Sequence, residues 1–190
     1  MRKVERVCLI GPDAWAAGAA SRIERQDAAC QRAGFQPVRV DLGAGRKDAE
    51  RSDLTARILY TEALAQVRSC DVVIANLTPL RGATCDASTA FVVGFAAALG
   101  KPVYGYLTVA DEDDAEERDR IAVNFGVALG DDEVWRDQDG HEIEDFGLPV
   151  PALVWAETRR IFIVVADDPW RDITGLELCL EAVQAYADWT

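Results

Sequence analysis

The chain has 190 residues, 49% of them apolar and 28% charged, a balance that suits one globular domain over residues 1–190 with a core of its own. An excess of 33 Asp and Glu over 20 Lys and Arg leaves a net charge of −13. That is the wrong sign for a phosphate backbone and excludes nucleic acid as an expected partner. No apolar run approaches the ~20 residues of a membrane span. The start, Met1-Arg-Lys-Val-Glu-Arg, has neither the apolar stretch nor the cleavage site of a signal peptide. A soluble cytoplasmic protein without membrane contact is expected.

From the N-terminus, Val7-Cys-Leu-Ile-Gly-Pro reads as a buried strand ending at a Gly-Pro turn. A helical pattern follows over 21–33 and stops at Gly34. Pro37-Val-Arg-Val, ending at Asp41, is a short strand, and 42–53, rich in Gly and charge, is a long loop. A second helix is predicted over 54–69. Asp71-Val-Val-Ile-Ala-Asn-Leu is the strongest strand signal in the chain. Next come a polar loop over 78–86, a third helix over 87–99 stopping at Gly100, and a strand in Lys101-Pro-Val-Tyr-Gly-Tyr.

Beyond that the pattern loosens. The acidic runs at 111–117 and 131–133 read as solvated loops and helix starts. Asp137-Gln-Asp-Gly-His carries a turn signal for a hairpin or surface loop. Residues 149–160 open another segment, and Ile161-Phe-Ile-Val-Val fits either a buried strand or the end of that segment's helix. A closing amphipathic helix is predicted over 174–189. Strand–helix alternation of this kind implies an α/β fold, a doubly wound, flavodoxin-like parallel sheet with helices on both faces.

Cys8, Cys30, Cys70, Cys85 and Cys179 are odd in number, widely spaced and free of any CxxC pattern, so no disulfide framework is expected. His141 is the single histidine, and neither a metal site nor a cofactor is expected. Four of the cysteines fall in or beside apolar segments as small hydrophobes. Cys85 lies in the polar loop, with no adjoining His or basic residue to activate it.

Parallel sheets bind ligands beyond the carboxyl ends of their strands. Four places meet that description: Gly11-Pro12, Asp41, the loop after Asn76, and Gly105-Tyr106. The third is the richest in polar groups, with Thr78, Arg81, Asp86, Ser88 and Thr89 leading into a helix start, where amide groups suit an anion or a sugar hydroxyl. The alternative is that Asp86, Ser88 and Thr89 simply cap the helix.

Three runs carry a resemblance: Asn76-Leu-Thr-Pro-Leu-Arg-Gly, Asp86-Ala-Ser-Thr-Ala-Phe-Val-Val-Gly-Phe-Ala, and Ala98-Leu-Gly-Lys-Pro-Val-Tyr-Gly-Tyr. Together they closely resemble the nucleoside 2-deoxyribosyltransferase family, and the likeness extends to Leu9-Ile-Gly-Pro and to Gly140-His-Glu-Ile-Glu-Asp-Phe-Gly-Leu-Pro. The resemblance implies transfer of 2-deoxyribose between nucleobases by double displacement. A glutamate attacks the anomeric carbon, the incoming base displaces it, and an aspartate assists proton transfer. It also implies a nucleoside or nucleotide as ligand, held by Gly11, Trp15, Asp41, Asn76, Thr78, Arg81, Ser88 and Thr89, with Trp15 as the stacking residue and Tyr60 and Tyr106 as weaker candidates for it. Asp86 takes the proton-transfer position.

The nucleophile does not carry over. The family pattern Asp-x-Gly-Thr-x-x-Glu-x-Gly falls on Asp86, Ser88, Thr89, Val92 and Gly94, which puts an isopropyl group where the glutamate belongs. Ala63 stands at a sugar-contacting Asp or Asn position, and Pro151 at an asparagine position that serves a neighbouring subunit's site. A catalytically degenerate, nucleoside-binding homo-oligomer is therefore expected. Two alternatives stay open: transfer or N-glycoside hydrolysis through a relocated carboxylate (Glu62, Asp41 or Asp86), and hetero-oligomer assembly with an active paralogue.

Overall fold

A computed structural model of the chain describes residues 4–40 and 51–189. Strand β1 (Arg6–Ile10) runs into a 3-10 turn (Pro12–Trp15) and helix α1 (Ala19–Arg32), followed by β2 (Gln36–Arg39). Helix α2 (Asp53–Ser69) is capped by Ser52, whose Oγ accepts from the Thr55 amide at 3.2 Å. Then come β3 (Val72–Asn76), α3 (Ala87–Ala98) and β4 (Val103–Val109). The second half adds α4 (Glu117–Phe125), the strands β5 (Val127–Leu129) and β6 (Trp135–Asp137), α5 (Ala152–Glu157), β7 (Arg160–Val165) and α6 (Thr174–Trp189).

The main sheet has the order β2-β1-β3-β4-β7, and every pairing is parallel. This is the doubly wound, flavodoxin-like order, whose direction of winding reverses between β1 and β3. Every residue of β3 and β4 is buried, as expected of strands covered on both faces. Alternation along β1 divides the core. Cys8 and Ile10 pack with residues of α2 and α3, such as Val67, Val92 and Ala96. Val7 and Leu9 pack with residues of α1 and α6, such as Cys30, Leu176 and Leu180. Among the described residues no helix is long and apolar enough to cross a membrane.

Element ends agree with expectation, as both do for α6, or differ from it by up to three residues, and two regions are more ordered than their sequence signals. The segment after the first acidic run forms α4, because Glu117 and Arg120 turn inward and are 5% and 6% exposed. The helix start at the end of the run agrees with its reading, and the inward turn of these two charges is what the run does not signal. The antiparallel β5–β6 hairpin closes through 130–134, around the second acidic run, and the turn signal at Asp137 follows β6 and returns the chain to the bridge between Arg136 and Glu142. The ambiguous run after Arg160 is a strand. It pairs with β4 from Tyr104↔Arg160 to Val109↔Val165, a long-range partner that local periodicity does not reveal.

One close approach fixes α6 against the sheet. A Cβ at Gly175 would lie 2.6–2.8 Å from the Cβ, Cγ and Cδ2 atoms of Tyr106. Gly175→Ala is therefore expected to destabilise the fold by ~1–3 kcal/mol through overpacking, read as a lower urea midpoint with an unchanged slope. An unchanged midpoint would show that α6 shifts freely on β4.

Candidate functional site

Residues at the carboxyl end of the sheet are held by one buried carboxylate that sequence reasoning overlooked. Asp13, in the 3-10 turn after β1, is 4% exposed. Its Oδ1 accepts from Arg22 Nε at 2.6 Å, Gln26 Nε2 at 2.8 Å and Asn76 Nδ2 at 2.9 Å. Arg22 Nη1 donates in turn to the carbonyls of Pro169, Trp170 and Asp172. Gln26 Nε2 also lies 3.4 Å from the Tyr106 hydroxyl, whose pKa is held well above the ordinary tyrosine value, first by burial and then by the Asp13 charge. The position of Asp13, two residues past Gly11 at a strand end, was the available signal.

This network accounts for several of the predicted site residues. Asn76 Oδ1 accepts the Thr78 amide at 3.0 Å, and Thr78 Oγ1 accepts the Thr108 amide at 3.0 Å. A Cβ on Gly11 would meet Asn76 Cβ at 2.5 Å. Gly11, Asn76 and Thr78 thus form the frame behind the site, outside the cavity wall described next. Tyr106 is buried against α6 and has no free face for stacking.

Beside the frame lies a cavity of about 520 Å³ between α2, α3 and the loop after β3. Trp15, Arg81, Asp86, Ser88 and Val92 all reach its wall, as do Tyr60 and Ala63 from α2. The Arg81 guanidinium sits 5.8 Å from the Trp15 ring centroid, a cation–π distance. Tyr60 and Phe91 form an exposed aromatic rim with ring centroids 6.2 Å apart. Val92 (2% exposed) and Ala63 (5%) are wall and core at once, since both belong to the apolar cluster under α2 and α3.

The capping and ligand readings of the α3 start divide between residues. Asp86 Oδ2 accepts the Thr89 amide at 3.1 Å and the Thr89 hydroxyl at 3.3 Å, so Asp86 is the N-cap and Thr89 is buried beneath it. Ser88 stays exposed on the cavity wall. Among the described wall residues Asp86 carries the one carboxylate. Glu62 is exposed and outside the wall, Pro151 is the N-cap of α5, and Asp41 lies outside the described residues.

Behind the loop, Arg120 donates to the carbonyls of Ala83, Asp114, Ala115 and Pro149, which fixes the approach to Asp86. Burial pushes the neighbouring Glu117 carboxyl up to about 7, against the opposing charge of Arg120. Burial likewise raises the Cys85 thiol to about 11, so it stays protonated at neutral pH and is a poor nucleophile. On the hairpin, Asp137, Asp139 and His141 hold ligand-type atoms within 4.8 Å of one another. Asp137 there accepts the amides of Asp139 and His141 and contacts His141 Nδ1 at 3.1 Å, the bonding of a turn.

Two measurements follow from this geometry. Asp13→Ala strands the Arg22 guanidinium in the interior and should cost ~3–5 kcal/mol, whereas Asp86→Ala removes one cap and should cost ~1 kcal/mol. Equal losses in urea melts would refute the ranking. The folded protein holds the Glu117 proton more tightly than the unfolded chain does. Stability from this group is therefore present below the ordinary value of 4.5 and is lost as pH rises through about 7. Glu117→Gln should raise the melting temperature at pH 8 and bring no such gain at pH 4. A gain independent of pH would remove titration as the cause.

The profile of the family described as Nucleoside 2-deoxyribosyltransferase matches residues 7–153. No curated protein matches the chain in sequence. Among solved structures, a 2-desoxiribosyltransferase from Leishmania mexicana superposes with a TM-score of 0.61 at 20% identity, covering 93% of this chain and 97% of that one. A conserved protein from Enterococcus faecalis gives a TM-score of 0.50 at 16% identity, with 96% and 99% covered. These likenesses are of fold, and they agree with the strand order above. With the match running from β1 through the cavity walls into α5, the chain belongs to the nucleoside 2-deoxyribosyltransferase family.

Proposed function

We propose that the chain binds a nucleoside or nucleotide in the 520 Å³ cavity and does not form the covalent glycosyl intermediate of the family's double displacement. The observation that carries this reading is Val92. Val92, which the resemblance puts at the family's nucleophile position, lies on the cavity wall and is continuous with the core, and its side chain has no lone pair. Ala63 beside it extends the apolar surface. The other wall chemistry suits recognition: Trp15, Tyr60 and Phe91 offer aromatic faces, and Arg81, Asp86 and Ser88 offer polar contacts. Pockets of this make-up, mostly apolar with a few placed polar groups, are the usual form of small-molecule sites.

Self-association is the second part of the reading. Leu54 and Ile58 on α2, Phe91 on α3, and Leu153 and Trp155 on α5 are large apolar side chains left exposed, and a second copy of the chain is the occupant we infer for them.

The test pairs equilibrium dialysis with a base-exchange assay, using deoxyinosine, thymidine and their 5′-monophosphates. Saturable binding without exchange is expected, and Trp15→Ala should weaken it about tenfold, the equivalent of one aromatic contact. Val92→Glu combined with Ala63→Asn, which supplies a donor beside the new carboxylate, should introduce measurable exchange. Exchange by the unmodified chain would overturn the reading and point to Asp86, Glu62 or Asp41 as nucleophile. Absence of any binding would overturn it as well. Sedimentation of the same samples as a monomer would remove the self-association part.

A further inference from the structure

Strand β7 ends the order β2-β1-β3-β4-β7, so among the described residues it pairs with β4 along one edge and with no strand along the other. We propose that this free edge docks a second copy of the chain, antiparallel about a two-fold axis, so that the two sheets become one. The edge is distinct from the apolar face of α2, α3 and α5. The inference depends neither on that face nor on the ligand of the cavity.

The two ends of the sheet are built differently. At one end, β2 is four residues long and carries Pro37, which has no amide hydrogen to donate. A short strand with a proline is a common guard against edge-to-edge pairing. At the other end, β7 is six residues long, Arg160-Ile-Phe-Ile-Val-Val, with no proline or glycine and no charge after its first residue. Ile161 packs against the core cluster under α2 and α3, and Phe162 against the cluster under α1 and α6. Ile163 and Val165 share the face of Ile161 but are 45% and 49% exposed. Branched apolar side chains thus stand uncovered beside an edge that is open to pairing.

Charge decides which occupant fits. Arg159 and Arg160 stand at the start of the strand, Asp167 and Asp168 follow its end, and all four are exposed. Arg159, Arg160 and Asp167 make no ion pair among the described residues. The two guanidinium groups lie over the rings of Tyr186 and Phe162, at 4.8 and 4.6 Å from their centroids, which keeps them beside the strand. An antiparallel second copy sets the basic end of each strand next to the acidic end of the other. A parallel copy would set arginine against arginine and aspartate against aspartate.

Register follows from symmetry. Opposed residues of an antiparallel pair share a face, so a two-fold axis requires one residue to lie opposite its own counterpart. With Ile163 at that point, Ile161 lies opposite Val165, Phe162 opposite Val164, and Arg159 and Arg160 opposite Asp167 and Ala166. Each pair forms twice. The segment from Arg159 to Asp167 is self-complementary in charge and in apolar character, and cross-strand pairs of both kinds stabilise a sheet. The overall charge of −13 opposes association, but physiological salt cuts its reach to about 8 Å. Pairs at contact range then decide the outcome.

Complementary variants test the edge. Arg159→Glu combined with Arg160→Glu makes both ends of the strand acidic, and Asp167→Lys makes the acidic end basic. All three positions are exposed, so melting temperatures should be retained. In sedimentation equilibrium, each variant alone is expected to associate at least tenfold more weakly than the unmodified chain, and an equimolar mixture to regain the lost affinity. Hydrogen exchange on the unmodified chain gives a second readout. The amides of 160–165 should exchange more slowly after about a hundredfold rise in protein concentration, because mass action fills the edge. Variants that associate as the unmodified chain does would overturn the proposal and assign the dimer to the α2–α3–α5 face. A mixture no better than its components would overturn it too, as would exchange in β7 that is independent of concentration.

Discussion

Three donors converge on one oxygen of Asp13, and most of the carboxyl edge of the sheet is organised around that point. The carboxylate sits where β1 ends, receives α1 through Arg22 and Gln26, and receives β3 through Asn76. Arg22 then carries the connection to the loop before α6, and Asn76 and Thr78 carry it to β4. A buried charge is tolerable only when it is paired and hydrogen-bonded. Each partner is therefore held in place by the need to satisfy the others. The winding reversal between β1 and β3 opens a crevice at this edge, and the Asp13 network keeps its walls at fixed separation.

Two cavities sit on either side of that network and differ in chemical character. The one under α2 and α3 has an apolar floor of Ala63 and Val92 and an aromatic rim, with Asp86 committed to the α3 cap. The other, between the start of α1 and the loop joining β7 to α6, is lined by the guanidinium residues Arg22, Arg25 and Arg171. Arg22 belongs to both descriptions: it is the main cation of the Asp13 network and part of the second cavity's wall.

The apolar character of position 92, on which the proposed function rests, fits its surroundings. Val92 packs in the same cluster as Val93, Ala96 and Ala63, so the α3 face behind the cavity is apolar without interruption. A carboxylate there would need donors to offset its desolvation. Position 63 carries a methyl group, and Asp86 holds its acceptor oxygen on Thr89.

Local signals in the chain were enough for the α/β alternation, the buried β3 run, the starts of α2 and α3, and the family. These rest on short-range physics: apolar periodicity, Gly stops, Asp86 as a cap, and contiguous motifs. The same motifs located the cavity wall at Arg81, Asp86, Ser88 and Val92. Tertiary structure decided what depends on distant partners. It made β7 a strand by pairing it with β4, folded Glu117 and Arg120 inward to form α4, and assigned Asn76 and Thr78 to the frame. Asp13 is the clearest case, because an aspartate after a Gly-Pro turn looks like any surface residue until Arg22, Gln26 and Asn76 are brought to it. Its role comes from burial and from partners 9, 13 and 63 residues away, and no window of local sequence contains them together.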